Sequence, residues 1–389
     1  MADSVEILKQ LIKIPTFQDK EKPDEIPEGM KECSRFLLEL LEELGFTVTT
    51  DELLNVTAEK EFPNGKDTFL VNGHYDTVPP SPEWKDYLEP KTIDNILQGL
   101  GASDDKGSIA GVLSALYGLE DCRFEKLIVQ FVSYEDNVIN YKGKRWLGTP
   151  FFLSNNRDFK ADYGINAEPT VEDDKIRVCV GCCGRVSFEV KTIGKEAHSS
   201  RPHLGRNAIY DMGELLPVIE KIPPGKFKID DFEAEMPINA AEVHGGRAIN
   251  IVPGECILKC ERRLFPGEDP KEIEQTVRSA LDELKRRKGM QLELNVNPNV
   301  QLPYQVDKSE YVVRLVTDSV LRSLGYKPPI RIELGRTDSV YLYHDRGIKT
   351  VIIGPGQENM SHCPGEYINI DRLNEFTRVM KTLLSRTSY

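Results

Sequence analysis

Apolar residues recur along the chain with more than one period, and each period predicts a kind of element. In the first and last parts of the chain, near-continuous apolar runs such as TFLVNG, LIVQFVSY, YGINA and TVIIG alternate with stretches of helical period. We expect Ser4 to cap the first of these helices, and the second to run from about Glu28 to Leu44. Such apolar runs are typical of parallel strands buried on both faces. The pattern therefore predicts an α/β fold in which helices cover both faces of a mostly parallel sheet.

The middle of the chain has a different pattern. VSFEVKTI and QLELNVN alternate between apolar and polar residues, whereas NAIYDMGELLPVIEKI and PKEIEQTVRSALDELKRR have helical period. Two helices among about four strands predict a small α+β unit of ferredoxin-like arrangement. We predict that residues 179–297 form this smaller domain, inserted in a larger domain made of residues 1–178 and 298–389.

Charge and cysteine content limit the partners and the compartment. The 389-residue chain has a formal net charge of −13 and no basic cluster with interleaved aromatic residues, so we expect no nucleic-acid partner. No run of about 18 apolar residues occurs and the chain does not start with a basic and then apolar leader, so we expect no membrane partner. The eight cysteines suit a reducing compartment, and the cytoplasm is the expected location.

Three of these cysteines lie close together in VCVGCCG. Cys179, Cys182 and Cys183 have the spacing of half a zinc knuckle, but no second cysteine or histidine pair follows to complete four ligands. We therefore interpret them as small apolar residues on a strand that leads into the second domain.

Side chains of the kind that bind metal ions follow several of the predicted buried strands. In open α/β sheets, ligands bind beyond the carboxyl ends of the strands, so these side chains could converge on one crevice. The candidates are His74 and Asp76 in HYDTVPP, Asp104 and Asp105 in GLGASDDKGS, Glu135 and Asp136 in SYEDN, Glu168 in NAEPT, and His362 in GPGQENMSHCPGE.

Several carboxylates cannot all stay ionised in a partly desolvated crevice unless positive charge is supplied. A pair of divalent cations would supply it, and oxygen and imidazole ligands without thiolate favour zinc, with cobalt or manganese as alternatives. Asp76 lies two residues after His74 on the same side of a strand, so it could orient the imidazole ring. By themselves, Asp104 and Asp105 could equally be acids at the N-terminus of a helix that begins near Ser108.

The ordered set of motifs resembles a zinc-dependent family of acyl-amino-acid deacylases and metallopeptidases, which includes acetylornithine deacetylase, succinyl-diaminopimelate desuccinylase, aminoacylase and glutamate carboxypeptidases. The resemblance rests on GHYDTVP, GLGASDDKGS, YED, NAEPT, GKEAHSSRPHLGRNAI, GGRAINIVPG and GPGQENMSHCPGE, which occur in the family's order over nearly the whole chain. It implies that His74 and Glu168 bind one metal ion, that Asp136 and His362 bind the other, and that Asp104 bridges both. It also implies that Asp76 orients His74 and that Glu135 is the general base. Asp136 departs from the pattern, because most members are expected to have Glu there.

The same resemblance implies that the inserted domain is a lid and dimerisation module of a homodimer. His198 matches the residue that stabilises the oxyanion in the neighbouring subunit of dimeric members. Asn250, Arg263 and Arg336 match positions that contact the substrate, although Arg263 could instead pair with surface acids.

The function predicted from the resemblance is a two-metal amidohydrolase that removes an acetyl or succinyl group from an N-acyl amino acid or diamino acid. A dipeptidase or carboxypeptidase with the same centre is the alternative, and a short peptide would then be the substrate. An inactive metal-binding homologue is a more distant alternative. Two features have no assigned role: the histidines His203, His244 and His344, and the tract NVINYKGKRWLGTPFF, which could shape the rim of the pocket or decorate the surface.

Overall fold

The computed structural model describes residues 3–386, and the chain folds into two compact units. The larger unit combines Met1–Gly181, Val306–Glu333 and Thr337–Tyr389, and the smaller unit combines Cys182–Gln305 with Leu334–Arg336. No helix among the described residues is both long and apolar enough to cross a bilayer.

Residues 3–182 contain four helices and twelve strands. The helices are α1 (Ser4–Ile12), α2 (Glu28–Glu43), α3 (Lys106–Leu116) and α4 (Gly148–Asn155). The strands are β1 (Thr47–Thr50), β2 (Val56–Glu61), β3 (Thr68–His74), β4 (Lys91–Ile93), β5 (Ile96–Gln98), β6 (Lys126–Val132), β7 (Ile139–Tyr141), β8 (Lys144–Trp146), β9 (Tyr163–Asn166), β10 (Val171–Glu172), β11 (Lys175–Ile176) and β12 (Val178–Cys182).

Residues 183–386 add five helices and ten strands, besides short 3-10 turns at Pro202–Leu204 and Glu358–Met360. The helices are α5 (Ala208–Glu220), α6 (Pro270–Lys288), α7 (Tyr311–Leu324), α8 (Ser339–Arg346) and α9 (Ile370–Leu384). The strands are β13 (Gly184–Ile193), β14 (Gly225–Ile229), β15 (Phe232–Met236), β16 (Asn239–Gly245), β17 (Glu255–Leu264), β18 (Gln291–Val296), β19 (Tyr304–Gln305), β20 (Ile330–Glu333), β21 (Lys349–Ile352) and β22 (Tyr367–Asn369).

The main sheet of the larger unit is mixed. Its strands follow the order β1-β2-β6-β3-β9-β21-β12, and β20 also pairs with β12. The neighbours β6, β3, β9 and β21 are parallel, whereas β1, β2 and β12 pair antiparallel with their neighbours. The α/β class is confirmed, with parallel pairing confined to the four central strands, because β1 and β2 are joined by a short turn that allows only antiparallel pairing.

The central strands explain the near-continuous apolar runs of the sequence. All residues of β3 and β6 after the first are buried, as are those of β9 and β21. A strand buried along its whole length needs cover on both faces of the sheet. Helix α3 is buried along its whole length and packs against α1 and α9, and Leu342 of α8 packs with Leu70 and Ile128 of the sheet.

Two helix starts differ from the prediction. Asp3, not Ser4, caps α1, because its carboxylate accepts the backbone N–H of Val5 at 3.0 Å. Helix α3 begins at Lys106 rather than near Ser108, so Asp105 is its N-cap residue.

The smaller unit contains a four-stranded antiparallel sheet in the order β16-β17-β13-β18, on which α5 and α6 pack. Taken along the chain, β13, α5, β16, β17, α6 and β18 have the ferredoxin-like order that the sequence pattern predicts. The hairpin of β14 and β15 is an addition between α5 and β16. The predicted domain boundaries at residues 179 and 297, and the role of this unit as a lid, stay predictions.

Candidate metal centre

Five of the predicted site residues lie at one end of the main sheet. His74 is the last residue of β3, and Asp136, Glu168 and His362 lie in the loops that follow β6, β9 and β21. Asp104 lies just before α3. Because β3, β6, β9 and β21 are parallel, their carboxyl ends share one edge of the sheet, and side chains from distant parts of the chain meet there.

These five residues form two groups in which the possible ligand atoms lie within 4.8 Å of one another. In the first group, His74 Nε2 is 3.1 Å from Asp104 Oδ1 and 3.7 Å from Glu168 Oε2. In the second group, His362 Nε2 is 2.9 Å from Asp136 Oδ1 and 3.6 Å from Asp104 Oδ2. Asp104 belongs to both groups and presents one carboxylate oxygen to each histidine, which is the geometry that a bridging ligand requires.

The charges at this end of the sheet call for a cation. Burial raises the pKa of Glu168 well above its usual value, and burial together with the charge of Asp104 raises the pKa of Asp136. The hydrogen bond to Asp136 raises the pKa of His362 to about 9. Burial lowers the pKa of His74, but the charge of Glu168 and the hydrogen bond to Asp104 hold it well above its ordinary value. The carboxylates of both groups therefore favour positive charge beside them, and a pair of divalent metal ions would supply it.

The residues present fit a pair of divalent metal ions. Asp136 Oδ2 and Glu168 Oε1 are buried and have no hydrogen-bond partner within residues 3–386. Buried carboxylate oxygens without partners are costly unless they bind a cation. Imidazole nitrogens and carboxylate oxygens without thiolate are ligands that zinc, cobalt and manganese accept.

Asp76 has a wider role than the predicted one of orienting His74. The His74 ring lies with Nδ1 3.0 Å from the backbone oxygen of Asp76 and 3.4 Å from its carboxylate. A carbonyl oxygen only accepts, so Nδ1 carries the proton and Nε2 keeps its lone pair for a metal ion. The carboxylate of Asp76 accepts four hydrogen bonds, from the backbone N–H groups of Glu135, Asp136 and Asn137 and from Asn137 Nδ2, at 2.8 to 3.1 Å.

The buried carboxylate of Asp76 therefore fixes the backbone of the turn that carries Glu135 and Asp136. Glu135 is 8% exposed, so the side chain predicted as the general base is largely buried. Asp136 is already within hydrogen-bond distance of His362, although it is shorter than the expected Glu. Asp105, by contrast, is fully buried at the start of α3 and belongs to neither group of ligand residues among those described.

Two residues near the site were missed by the sequence reasoning. Asn137 donates from Nδ2 to Asp76 and to the backbone oxygen of Thr77, at 2.8 and 2.9 Å. Glu366 is 2% exposed and accepts the backbone N–H of Asp104 at 2.9 Å. Burial raises the pKa of Glu366 to about 8. Two features of the sequence could have pointed to these residues: Asn137 directly follows the acid pair, and Glu366 is the last residue of the motif GPGQENMSHCPGE.

In the smaller unit, the structure brings His198 close to the segment that contains Asn250. Ser199 N–H donates to the backbone oxygen of Asn250 at 3.0 Å, and both His198 and Asn250 are exposed. The N–H of Ser200 donates to His198 Nδ1 at 3.1 Å. In the neutral ring, Nδ1 is therefore the acceptor, and Nε2 carries the proton and can donate it to a ligand.

The two predicted substrate arginines occupy different surroundings. Arg263 lies on β17, with Nε 3.6 Å from Glu261, so the alternative of pairing with a surface acid is present in the structure. Arg336 is half-buried in the loop between β20 and α8.

The structure also locates the cysteines of VCVGCCG, two of the histidines without an assigned role and the tract that follows the acid pair. Cys179 and Cys182 lie on β12, and Cys183 follows; all three are buried. His203 is exposed in a 3-10 turn, and His244 is exposed with Nε2 3.1 Å from Glu242. The tract after the acid pair forms the β7–β8 hairpin and α4, where Trp146 and Tyr141 pack edge-on against Phe151.

Comparison with known proteins agrees with this architecture. The sequence model of Peptidase family M20/M25/M40 matches residues 70–386. An acetylornithine deacetylase of Myxococcus xanthus is 27% identical over 80% of this chain and 77% of its own length. An acetylornithine deacetylase of Buchnera aphidicola subsp. Schizaphis graminum is 26% identical over 99% of this chain and 98% of its own.

Solved structures share the fold. A tripeptidase from Staphylococcus aureus superposes with a TM-score of 0.74 at 23% identity, covering 98% of this chain and 97% of its own. A Bacillus subtilis protein described as a dinuclear metal binding peptidase has a TM-score of 0.70 at 14% identity, with 98% of this chain and 96% of its own covered. The family match spans most of the chain, so this protein belongs to Peptidase family M20/M25/M40 and is a hydrolase of amide bonds.

Proposed function

We propose that this protein is a two-metal amidohydrolase that removes an acetyl or succinyl group from an N-acyl amino acid or diamino acid. The observation that carries the proposal is the shared carboxylate of Asp104, which presents Oδ1 to His74 and Oδ2 to His362. The acetylornithine deacetylases among the relatives support an N-acyl amino acid as the substrate class.

His74 and Glu168 would hold one ion, Asp136 and His362 the other, and Asp104 both. Bound divalent ions would polarise the scissile carbonyl and lower the pKa of the attacking water. Zinc is the first choice for this donor set, and cobalt or manganese are alternatives.

Glu135 would act as the general base. It is adjacent to a ligand residue, its backbone is held by Asp76, and its side chain is largely buried. From this place it would take the proton of the attacking water and pass it to the nitrogen of the leaving amine, so that the amide C–N bond breaks without releasing a strongly basic amide anion.

His198 would stabilise the oxyanion of the tetrahedral intermediate. The hydrogen bond from Ser200 N–H to Nδ1 leaves the proton on Nε2, which is the donor that an oxyanion needs. Asn250, which lies in the segment paired with that of His198, and the guanidinium groups of Arg263 and Arg336 would contact the amino-acid part of the substrate.

We also propose a homodimer formed through the smaller unit. Strand β16 ends the order of its sheet and is exposed along its whole length, so its outer backbone groups are available for pairing. Tyr210 of α5 and Ile249 after β16 are large apolar side chains with 76% exposure and full exposure, respectively. A two-fold axis would bring two copies of this self-complementary surface together.

A dipeptidase or carboxypeptidase is the alternative, because the same centre would hydrolyse any amide whose flanking groups fit. The tripeptidase that shares this fold keeps this alternative open. A hydrolysis screen decides between them: zinc- or cobalt-loaded protein is incubated with N-acetyl and N-succinyl amino acids, dipeptides and tripeptides, and amine release is measured. Turnover of acyl amino acids above that of peptides supports the proposal, and the reverse order contradicts it.

A further inference from the structure

Glu366 is a buried carboxylate that the proposed chemistry does not use. Oε1 accepts the backbone N–H groups of Ser103 and Asp104 at 2.8 and 2.9 Å, and Oε2 accepts that of Gly101 at 2.8 Å. One side chain thus satisfies three backbone donors in the loop that ends at Asp104. A concave group of N–H donors around one carboxylate is a rigid arrangement, because each donor loses its partner if the loop moves.

Glu366 also belongs to the loop that carries His362. Its backbone N–H donates to the oxygen of Cys363 at 3.2 Å, and its own oxygen accepts the N–H of Gly99 at 3.0 Å. The side chain and the main chain of one residue therefore connect the two loops at both ends of the segment from Gly99 to Asp104.

A second contact joins the same loops. The N–H of Gln357 donates to Ser103 Oγ at 2.8 Å, and that hydroxyl donates to the Gln357 backbone oxygen at 3.0 Å. A Cβ atom at Gly356 would lie 2.3 Å from the backbone oxygen of Ser103, so only glycine permits this approach. The loops of Asp104 and His362 are therefore joined by hydrogen bonds and packed closely against each other.

We propose that Glu366 is a positioning residue that fixes the backbone of Asp104 against the loop of His362 and so sets the geometry of both metal sites. Since Asp104 is the only residue present in both ligand groups of the described chain, a displacement of its backbone affects both sites. Removal of a ligand that serves one site, such as His362, affects mainly that site. Loss of Glu366 should therefore weaken both metal sites, whereas loss of a ligand such as His362 should weaken mainly one.

The inference rests on the two-metal part of the proposed function, and metal binding rather than turnover tests it. Glu366→Met removes all three acceptor contacts, whereas Glu366→Gln keeps an oxygen for the N–H groups of Ser103 and Asp104. Glu268→Gln is the matched control, because Glu268 accepts the N–H of Phe265 at 2.8 Å and pairs with Arg262 in the smaller unit. Each protein is stripped with a chelator and titrated with cobalt against a chromophoric competitor, and its visible spectrum and thermal unfolding are recorded.

We expect Glu366→Met to bind both ions about 10- to 100-fold more weakly, as loss of an outer-shell partner commonly does. We expect Glu366→Gln to show a smaller loss at both sites with a changed cobalt spectrum, and Glu268→Gln to lose thermal stability with both affinities and the spectrum unchanged. Wild-type affinity at both sites in folded Glu366→Met, or a loss at one site only, would overturn the proposal. If Glu366→Met does not fold, the same outcomes in Glu366→Gln decide. Wild-type protein that binds fewer than two ions refutes the two-metal centre itself.

Discussion

The carboxylate of Asp76 accepts the backbone N–H of Asp136 at 3.1 Å, which connects the two halves of the metal centre. The backbone of Asp76 orients His74 of the first group, and its side chain holds the turn that carries Asp136 of the second group. A single buried residue thus determines the relative placement of a histidine ligand, a carboxylate ligand and the proposed base Glu135.

Replacement of Asp76 should therefore impair more than the first histidine. In Asp76→Ala, three backbone N–H groups lose their acceptor, and we expect kcat to fall by about 100-fold and affinity at the His362 site to fall by about tenfold. Steady-state kinetics in excess metal and metal titration measure the two effects. Loss of metal only at the His74 site would contradict this assignment and favour a role confined to the imidazole.

Glu135 and Asp136 should respond differently to truncation, although they are neighbours. Glu135→Ala should keep both metal ions and lose about 100- to 10,000-fold in kcat, because a general base contributes that much. Asp136→Ala is the matched control and should lose the ion shared with His362. Metal content by mass spectrometry and turnover distinguish them, and near-normal turnover in Glu135→Ala would refute its role as base.

Asp136→Glu should weaken rather than strengthen the second site. The Asp136 carboxylate already lies 2.9 Å from His362 while its backbone is hydrogen-bonded to Asp76, so an added methylene must displace the turn. We expect affinity at that site to fall by about tenfold. A competitive metal titration gives the value, and tighter binding in Asp136→Glu would show that the short side chain is a defect of this site.

Metal binding should release protons over a defined pH range. His362 has a pKa of about 9 because of its hydrogen bond to Asp136, so it is protonated below that pH and must lose its proton to bind a metal ion. Affinity should fall by up to about tenfold for each pH unit below 9 for this proton. Calorimetry in buffers of different ionisation enthalpy counts the protons; His362→Ala should release fewer, and pH-independent affinity between pH 6 and pH 9 would contradict the protonation argument.

If His198 acts in the partner subunit of a homodimer, inactive variants should complement each other. His198→Ala and Glu135→Ala homodimers are each expected to be nearly inactive, whereas a mixed dimer contains one centre with both an intact base and an intact His198. Subunits are mixed, allowed to exchange and assayed. Up to about a quarter of wild-type activity is expected if exchange is random and about half of the dimers are mixed. If activity does not recover although subunit exchange is verified, His198 acts in the active site of its own subunit.

The periods of the sequence were sufficient to predict the alternation of buried strands and helices, because burial on both faces leaves a continuous apolar run. The pattern of apolar residues could not predict the antiparallel pairing of β1, β2 and β12, because a buried strand has the same composition in either direction. The start of α1 was misplaced by one residue because Asp and Ser are both good capping residues and adjoin each other.

The residue types of the candidate metal centre followed from the sequence, because the candidate ligands come after predicted strands or at the start of a helix and the motifs occur in a family order. Their mutual distances did not, and neither did the hydrogen bonds of Asp76 to the turn of Glu135 and Asp136 or the role of Glu366. Asp104 and Glu366 are 262 positions apart in the chain, and the hydrogen bond between them exists only once the loops are packed together. The sequence by itself determined which side chains could bind metal and move a proton. Only the tertiary structure decided how far each oxygen of Asp104 lies from its histidine and that buried carboxylates hold the surrounding loops, because both depend on the packing of segments that are far apart in the sequence.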